Sequence, residues 1–408
     1  MKKEEKKVPQ LRFPKFAGDW EQRKLPEFVS FFNGLTYTPD DVEETGTLVL
    51  RSSNVKNGEI VDADNVYVND KVVTSENVQK GDIIVVVRNG SRALIGKHAQ
   101  IKASMPNTVI GAFMSGMRSE HSSFVNALLD TSAFENEIAK NMGATINQIT
   151  GYMFSKMEFM IPSGEEQQKI GEYFQSLDHL ITLHQRKLEK IKEFKKGVMQ
   201  KLFSQEVRFK ADDESEFPEW EEKTFHEVIK LYRGSSPRPI VEYIVDDNQG
   251  LNWIKISDVP QNGNVITTVK EHISKEGAEK SRAVYKGEII LSNSMSFGKP
   301  CILGIDGFIH DGWFVIREYE KYLNKWYLCQ LLNSDIMYKQ YRRLAAGGVV
   351  LNISSEIVNS TKIPVPCLAE QQKIADCLSS LDEVIEKQKA TLAAWKELKK
   401  GLLQQMFV

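Results

Sequence analysis

Two stretches of the chain place apolar side chains at alternating steps of about four and three residues, the spacing of a helix with one apolar face. Each stretch covers about 40 residues, so each predicted helix is about 60 Å long. Two equal helices with one apolar seam each are expected to pack together as an antiparallel coiled coil. The predicted seams consist of Ile170, Phe174, Leu177, Ile181, Leu188, Ile191 and Val198 in the first helix and Ile374, Leu378, Leu381, Ile385, Leu392, Trp395 and Leu402 in the second.

Polar residues interrupt the two seams at equivalent places, His184 in the first and Gln388 in the second. We interpret both as structural, because a polar residue in a coiled-coil seam fixes the register of the helices.

Elsewhere the apolar residues form short runs bounded by turn residues, a pattern that predicts strands. Two longer amphipathic stretches, 124–129 and 326–332, predict short helices. Strands come first and helices later in each region, which favours an α+β fold. The predicted strands lie at 47–50, 82–87, 93–95, 253–256, 288–291, 301–303 and 313–316.

The chain is a tandem duplication with an offset of 204 residues, half of its 408. Over Glu166–Phe203 the ungapped comparison with 370–407 gives 17 identities in 38 positions. The shared motifs are Glu-Gln-Gln-Lys-Ile, Ser-Leu-Asp and Lys-Lys-Gly. Each copy is therefore one variable module followed by one long helix, and the complete fold is expected to be pseudo-two-fold symmetric.

The repeat and the helix signals set the expected domain limits. Residues 1–7 form a charged, disordered start, and the first module covers 8–164. The first long helix covers 165–204, the second module 205–362, and the second long helix 363–408.

Composition and charge narrow the class of protein. Lys and Arg total 53 against 55 Asp and Glu, a net charge of −2, so any contact with nucleic acid must be local or shared with a partner. The four cysteines have no metal-site spacing and favour a reducing cytoplasm. No apolar run approaches the roughly 20 residues of a membrane helix, and no apolar signal core follows the charged start, so we expect neither export nor a membrane span.

Motifs for catalysis are missing or incomplete. The sequence has no Pro-Pro pair, which an amino-methyltransferase loop would need. The stretch from Gly90 to His98 resembles a phosphate loop, but it has five intervening residues instead of four and ends in His instead of Ser or Thr. The histidines have no metal-ligand spacing. We therefore expect no catalytic residue, no metal and no cofactor in this chain.

The remaining chemistry favours recognition. Arg, Lys, Asn and Ser recur beside glycines in both modules, and such side chains can bind phosphates and base edges where glycine lets the backbone approach. The candidate DNA-binding residues are Arg51, Ser53, Arg88, Asn89, Ser91, Arg92, Lys97, Thr145 and Asn147 in the first module and Ser235, Arg238, Lys255, Ser294, Ser296, Lys299, Arg342, Arg343, Gly347, Gly348 and Asn352 in the second.

The pattern as a whole resembles the specificity (S) subunit of type I restriction-modification systems. The resemblance is carried by the paired Glu-Gln-Gln-Lys-Ile helix openings after proline, the Lys-Lys-Gly helix ends and the Arg-Phe…Trp-Glu module starts. The stretch 234–258, with Gly-Ser-Ser-Pro and Trp-Ile-Lys-Ile-Ser-Asp, is similar to the opening of a recognition domain in that family. The resemblance covers the chain from about Val8 onward.

The resemblance implies that each module is a target recognition domain that reads one half of a split, asymmetric site in double-stranded DNA. The helix pair would set the distance between the halves, and its residues would dock two modification subunits that use S-adenosylmethionine to methylate adenine. Restriction and translocase subunits, which use ATP and Mg²⁺, would join them. The chain itself would be non-catalytic.

An alternative from another class is a coiled-coil scaffold whose duplicated modules bind protein. A third hypothesis, that the chain is a self-sufficient enzyme, is disfavoured because its motifs for catalysis are missing or incomplete.

Overall fold

The computed structural model describes residues 8–142, 147–246, 250–260, 263–293, 298–345 and 353–408. The chain folds into two compact units. The first unit comprises the chain up to Gln185 together with Thr391–Val408, and the second comprises Arg186–Ala390. Each unit therefore contains part of both long helices.

The described part of the first unit combines small sheets with three short helices. Its elements are β1 (Glu21–Lys24), β2 (Ser30–Asn33), β3 (Val42–Glu43), β4 (Thr47–Leu50), β5 (Val55–Lys56), β6 (Glu59–Ile60), β7 (Val66–Val68), β8 (Ile83–Val86), β9 (His98–Gln100), β10 (Thr108–Ile110), β11 (Met114–Arg118), β12 (Glu158–Ile161), α1 (Ser122–Leu129), α2 (Ser132–Asn141) and α3 (Gly151–Phe154). One four-stranded sheet has the order β10-β4-β7-β3 and a second has β2-β11-β8-β9. Strand β10 runs parallel to β4, with Ile110 opposite Leu50, while β11 is antiparallel to both β2 and β8.

The long helix α4 (Gly164–Phe203) follows β12 and is 40 residues long. Inside the first unit its opening turns join the core with the end of the second long helix, α10 (Leu368–Met406). Phe174 of α4 lies 5.9 Å from Phe407, between ring centroids, and the His184 ring stacks on Trp395 at 6.1 Å. The start of one helix thus meets the end of the other, which is the antiparallel arrangement that the sequence predicts.

The second unit repeats this plan with larger sheets. Its elements are β13 (Glu221–Thr224), α5 (Phe225–Val228), β14 (Lys230–Arg233), β15 (Ile244–Val245), β16 (Leu251–Ile254), β17 (Val265–Ile266), β18 (Glu271–Ile273), α6 (Lys275–Glu279), β19 (Arg282–Val284), β20 (Ile289–Ser292), β21 (Pro300–Leu303), β22 (Gly307–Ile309), β23 (Trp313–Arg317), α7 (Lys325–Leu332), α8 (Asp335–Ala345), α9 (Ser355–Ser360) and β24 (Lys362–Val365). One five-stranded sheet has the order β14-β23-β20-β21-β17, and the other has β15-β18-β16-β22-β19.

In the second unit the helix roles are exchanged. The end of α4, with Leu202 and Phe203, packs in one core with the start of α10, with Ile374 and Leu378. Leu188 and Ile385 are also buried here. The predicted α+β class and the two long helices are confirmed, and in each unit the seam residues pack in the interior or at its edge. The remaining seam residues, which are buried or half-buried, are Ile170, Leu177, Ile181, Ile191, Val198, Leu381, Leu392, Trp395 and Leu402.

The repeated Glu-Gln-Gln-Lys-Ile motif holds each module start onto its helix. Glu166, which is 1% exposed, accepts two hydrogen bonds from Arg12 at 2.7 Å each. The fully buried Glu370 accepts the same pair of bonds from Arg208, at 3.2 and 2.9 Å, and a third from Trp220. Bidentate pairs of this kind fix geometry as well as charge, which explains why an arginine recurs at the module start together with this motif.

The Ser-Leu-Asp and Lys-Lys-Gly motifs form a second repeated contact, between the two helices. In the first unit Lys399 donates to Asp178 at 2.5 Å and to Asp130 at 2.6 Å. In the second unit Lys195 donates to Asp382 at 2.6 Å and to Gln330 at 3.0 Å. Burial raises the pKa of Asp178, and Lys399 partly offsets that rise.

One local prediction needs correction. Residues 93–95 are not a strand, because Arg92–Leu94 forms a 3-10 turn that leads into Gly96 at a positive φ of 85°. The run is apolar because Ile95 is buried, not because it pairs with a neighbour. In the first helix seam, Lys195 occupies the inward position, while Phe194 is 62% exposed.

Within the described ranges, none of the helices combines the length and the apolar character that a membrane span requires.

Candidate nucleic-acid interface

In the first unit, the turn after β4 meets the turn after β8. Arg51 and Ser53 lie on the first turn, and the Asn89 amide on the second donates to Ser52 Oγ at 3.2 Å. Lys97 Nζ reaches the Ser52 carbonyl oxygen at 3.3 Å. Asn147 Nδ2 adds a bond to the Gly90 carbonyl oxygen at 3.1 Å. The structure therefore brings together candidates that are almost 100 residues apart in sequence.

An open cavity of about 730 Å³ lies beside this cluster. Arg51, Ser53 and the 56% exposed Phe113 line it, and the Arg88 guanidinium stacks on the Phe113 ring at 5.1 Å. Arg51 Nε and Ser53 Oγ are buried beside the cavity and have no hydrogen-bond partner among the described residues. The site combines cations, unsatisfied polar atoms and one exposed aromatic ring.

In the second unit the corresponding turns are more strongly paired. Lys255 Nζ bonds Glu271 at 2.5 Å, and Ser235 Oγ donates to the Lys280 carbonyl oxygen at 3.1 Å. Arg238 is 83% exposed and lies 3.5 Å from Asp311. Part of the positive charge here is neutralised inside the unit.

The two units place cations at equivalent backbone positions. Arg51 and Lys255 each follow the last residue of a strand, β4 and β16, that pairs with an equivalent parallel strand. Each also opens a 3-10 turn by donating its backbone N–H to a side chain three residues later. Lys97 and Lys299 each accept a backbone hydrogen bond from the strand before them, β8 and β20. Duplication has thus preserved two cationic positions although the surrounding residues differ.

A close backbone approach explains one shared glycine. A Cβ built on Gly34 or on Gly234 would lie 2.0 Å from a carbonyl oxygen, of Gly111 or His310 respectively. Only glycine fits such a position without a backbone shift. Gly34 is therefore the first-unit counterpart of the glycine in Gly-Ser-Ser-Pro.

Some candidates lie apart from these clusters. Ser91 and Arg92 are exposed on the turn after β8, where the Ser91 backbone N–H donates to Asn89 Oδ1 and the Ser91 carbonyl oxygen accepts from the Leu94 N–H. Arg342 and Arg343 are exposed on the last turns of α8, with Arg342 over the Tyr338 ring at 5.9 Å. The candidates that lie outside the described residues are Thr145, Ser294, Ser296, Gly347, Gly348 and Asn352.

Sequence patterns missed several charged residues around the Ser235 turn. Arg233 Nε donates to the Asp311 carbonyl oxygen at 3.2 Å, and Arg282 Nε donates to the Arg233 carbonyl oxygen at 3.1 Å. Arg233 directly precedes the Gly-Ser-Ser-Pro motif, so its sequence position alone could have placed it among the candidate DNA-binding residues. Arg282 and Asp311 come from distant segments and could be placed there only by the fold.

The described residues contain no group of three or more His, Cys, Asp or Glu that could hold a metal ion. Burial raises the pKa of the Cys301 thiol to about 11 and that of Cys329 to about 12. Both thiols therefore stay protonated at neutral pH and are poor nucleophiles.

Comparison with known proteins assigns the family. The type I restriction modification DNA specificity domain matches twice, over residues 17–193 and 218–394. These two matches cover most of the chain, and the chain belongs to this family. It carries two copies of the domain, as the internal repeat predicts.

Individual relatives agree with this assignment. The type I restriction enzyme MjaVIII specificity subunit of Methanocaldococcus jannaschii is 27% identical over 265 residues, 61% of this chain and 60% of that protein, so the match spans less than two thirds of its length. The putative type I restriction enzyme MjaX specificity subunit of the same organism is 24% identical over 384 residues, 90% of this chain and 88% of that protein.

A solved structure shows the same fold. The S subunit of a type I restriction-modification system from M. genitalium superimposes with a TM-score of 0.60 at 14% identity, covering 98% of this chain and 99% of that chain.

Proposed function

We propose that this chain is the non-catalytic DNA-reading subunit of a type I restriction-modification complex. Each unit reads one half of a bipartite, asymmetric target in double-stranded DNA. The observation that carries the proposal is that the chain contains two copies of the specificity domain with cations at the same two backbone positions. The first position holds Arg51 in one copy and Lys255 in the other, and the second holds Lys97 and Lys299.

The long helices supply the second part of the proposal. They set the spacing between the two half-sites and dock two modification subunits, which restriction and translocase subunits join. Apolar side chains that are exposed on these helices support docking: Phe194 is 62% exposed, and Leu398, which lies 204 residues later, is 48% exposed. S-adenosylmethionine, ATP and Mg²⁺ belong to the partner subunits in this proposal, and the complex acts in the cytoplasm.

The net charge of −2 is compatible with this division of work. Phosphate contacts dominate the affinity of DNA-binding proteins, and partner subunits can supply many of them. Base contacts specify the sequence, and a few placed side chains suffice for that.

Methylation sequencing of host DNA, with the gene intact and with the gene deleted, tests the proposal. We expect a split motif with methylated adenine in each half to disappear on deletion. A host methylome that is unchanged by the deletion, while the partner genes are expressed, would contradict the proposal and favour a protein-binding scaffold.

A further inference from the structure

An exposed carboxylate stands among cations in the turn between β22 and β23 of the second unit. Asp311 has a side chain that is 42% exposed. Arg233 and Arg238 both contact it, through its carbonyl oxygen and its carboxylate respectively. Arg282 Nε donates a hydrogen bond to the Arg233 carbonyl oxygen, and the Lys280 carbonyl oxygen accepts one from Ser235 Oγ. The Asp311 carboxylate is therefore in direct contact with one basic side chain, Arg238, while Arg233 contacts its backbone and Arg282 and Lys280 belong to the adjoining segments.

The protein holds this carboxylate in a fixed place. Ser236 Oγ donates to Asp311 Oδ1 at 2.9 Å, and Asn293 Nδ2 donates to the Asp311 carbonyl oxygen at 2.8 Å. Burial alone would raise the pKa of Asp311, but the Ser236 hydrogen bond, a backbone hydrogen bond and the smaller electrostatic effects of His310 and Arg238 outweigh it, and the pKa is lowered. Asp311 is thus ionised at neutral pH, and among the described residues its Oδ2 has only the loose 3.5 Å contact with Arg238.

The equivalent turn of the first unit has different chemistry. Ile110 and Ile309 occupy matching positions opposite Leu50 and Ile254, so Ala112 matches Asp311 and Phe113 matches Gly312. The backbone agrees, because Val87 N–H donates to the Phe113 carbonyl oxygen and Asn293 N–H to that of Gly312, both at 3.0 Å. One backbone frame therefore presents an apolar, aromatic turn in one unit and a carboxylate in the other.

A carboxylate on a surface that binds DNA is repelled by phosphates, so a fixed one is favourable only where it meets a hydrogen-bond donor. In the major groove the donors are the exocyclic amino groups of cytosine and adenine, and Asp characteristically accepts from cytosine N4. The surrounding Arg and Lys side chains are suited to the flanking phosphates.

We propose that Asp311 is a specificity-determining residue that accepts a hydrogen bond from the N4 amino group of one cytosine in the half-site read by the second unit. The inference rests on the proposed function and deepens it, because it assigns one base pair to one side chain. The matching turn of the first unit, with Ala112 and Phe113, reads its half-site through apolar contacts.

The substitution Asp311→Asn tests this assignment in the complete complex with its modification subunits. Asn keeps the size of the side chain and an oxygen for Ser236, and its carboxamide prefers adenine N6 and N7. Methylation of a duplex library randomised at each position of the second half-site is the readout. We expect the preference at one C·G pair to change toward A·T by about tenfold or more, with the first half-site unchanged.

Asp212→Asn is the matched control, because Asp212 is a 95% exposed carboxylate of the same unit that pairs with Lys373 on α10. It should select the same sequences as the parent chain. Unchanged selection by Asp311→Asn, or a change confined to an A·T pair, overturns the assignment of Asp311 while leaving the proposed function intact. A parent complex that methylates without any sequence preference overturns the proposed function and the Asp311 assignment together.

Discussion

At the residue scale, the proposed interface depends on a few cations that the backbone holds in equivalent places. Lys97 shows the principle: its backbone is fixed by β8, and its Nζ lies 3.3 Å from the Ser52 carbonyl oxygen. A lysine side chain that is already held in this way loses little further conformational entropy when it binds a phosphate.

Replacing Lys97 by Ala should weaken DNA binding by the assembled complex for specific and unrelated sequences alike. Because one phosphate contact is lost, the slope of log affinity against log salt concentration should fall by about 1. Lys71→Ala, at an exposed lysine in a 3-10 turn of the same unit, is the control. Equal salt slopes for the parent chain and Lys97→Ala would remove Lys97 from the interface.

The buried Arg208–Glu370 pair should contribute strongly to the free energy of unfolding of the second unit, because it holds the start of the second module onto α10. Arg208→Met leaves Glu370, which is 0% exposed, without its cation, and loss of one partner of a buried pair costs about 3–5 kcal/mol. Urea unfolding measures this change. The exposed pair Lys362–Glu222, 64% and 65% exposed, gives the control: Lys362→Ala should cost less than about 1 kcal/mol. Similar costs for the two substitutions would refute this structural role.

His310 makes the second unit sensitive to acid. The His310 ring is buried beside Trp253 and Trp313, and this burial lowers the pKa of His310. Lys255 lowers the pKa further, while Asp311 and Asp258 act in the opposite direction without cancelling the effect of burial. Its Nδ1 also accepts the Gly312 N–H at 2.9 Å, a bond that protonation of Nδ1 would remove.

Since the folded pKa of His310 is depressed, its contribution to stability is present above the unfolded value of about 6.5 and is lost as pH falls through the folded value. NMR titration should show His310 protonating below that unfolded value, and His310→Gln should reduce the loss of unfolding free energy on acidification. A measured pKa at or above the unfolded value would contradict this account.

At the element scale, the proposal that the two long helices set the spacing between the half-sites can be tested by changing their length. Inserting seven residues after Arg186 and seven after Ala390, which are 204 positions apart, keeps a seven-residue seam in phase. Each helix becomes about 10 Å longer, which corresponds to about three base pairs at 3.4 Å each. Methylation sequencing should show the same half-sites with a spacer that is about three base pairs longer. The parental spacer length in this variant would contradict the role of the helices.

Sequence patterns predicted elements well where one signal dominated. The seam of α4 and α10 was readable because the apolar spacing repeats over 40 and 39 residues. The pattern was ambiguous at Phe194 and Lys195, where only the contact with Asp382 shows which residue points inward. The prediction of a strand at 93–95 was wrong because a run of three mostly apolar residues is typical of a short strand and also of a turn that buries one side chain, here Ile95.

The candidate site was less predictable than the fold, for a physical reason. Lys97 and Arg238 were predicted because they are basic residues close to glycines, and Arg51 because it directly follows a predicted strand; these signals are local. Asp311 and Arg282 reach the Ser235 turn only through the pairing of β16 with β22 and of β19 with β22. Such non-local pairing leaves no pattern in neighbouring sequence positions, so these residues required the structure.

At the scale of the whole molecule, duplication provides two units with one backbone plan and different side chains at the turns. Ala112 and Phe113 in one unit correspond to Asp311 and Gly312 in the other. A shared frame with divergent turns is what an asymmetric, two-part DNA target requires, because each unit must read a different sequence with similar geometry.

Exchange of one module shows whether the two units read their half-sites independently. Residues 207–362 would be replaced by the corresponding module of a specificity subunit with a known target, and methylated motifs would be sequenced from cells that express the complete complex. We expect one half of the motif to change to that of the donor while the other half and the spacer stay the same, because the proposal has each unit read its own half-site. A change in both halves, or a fully methylated parental motif, would contradict it.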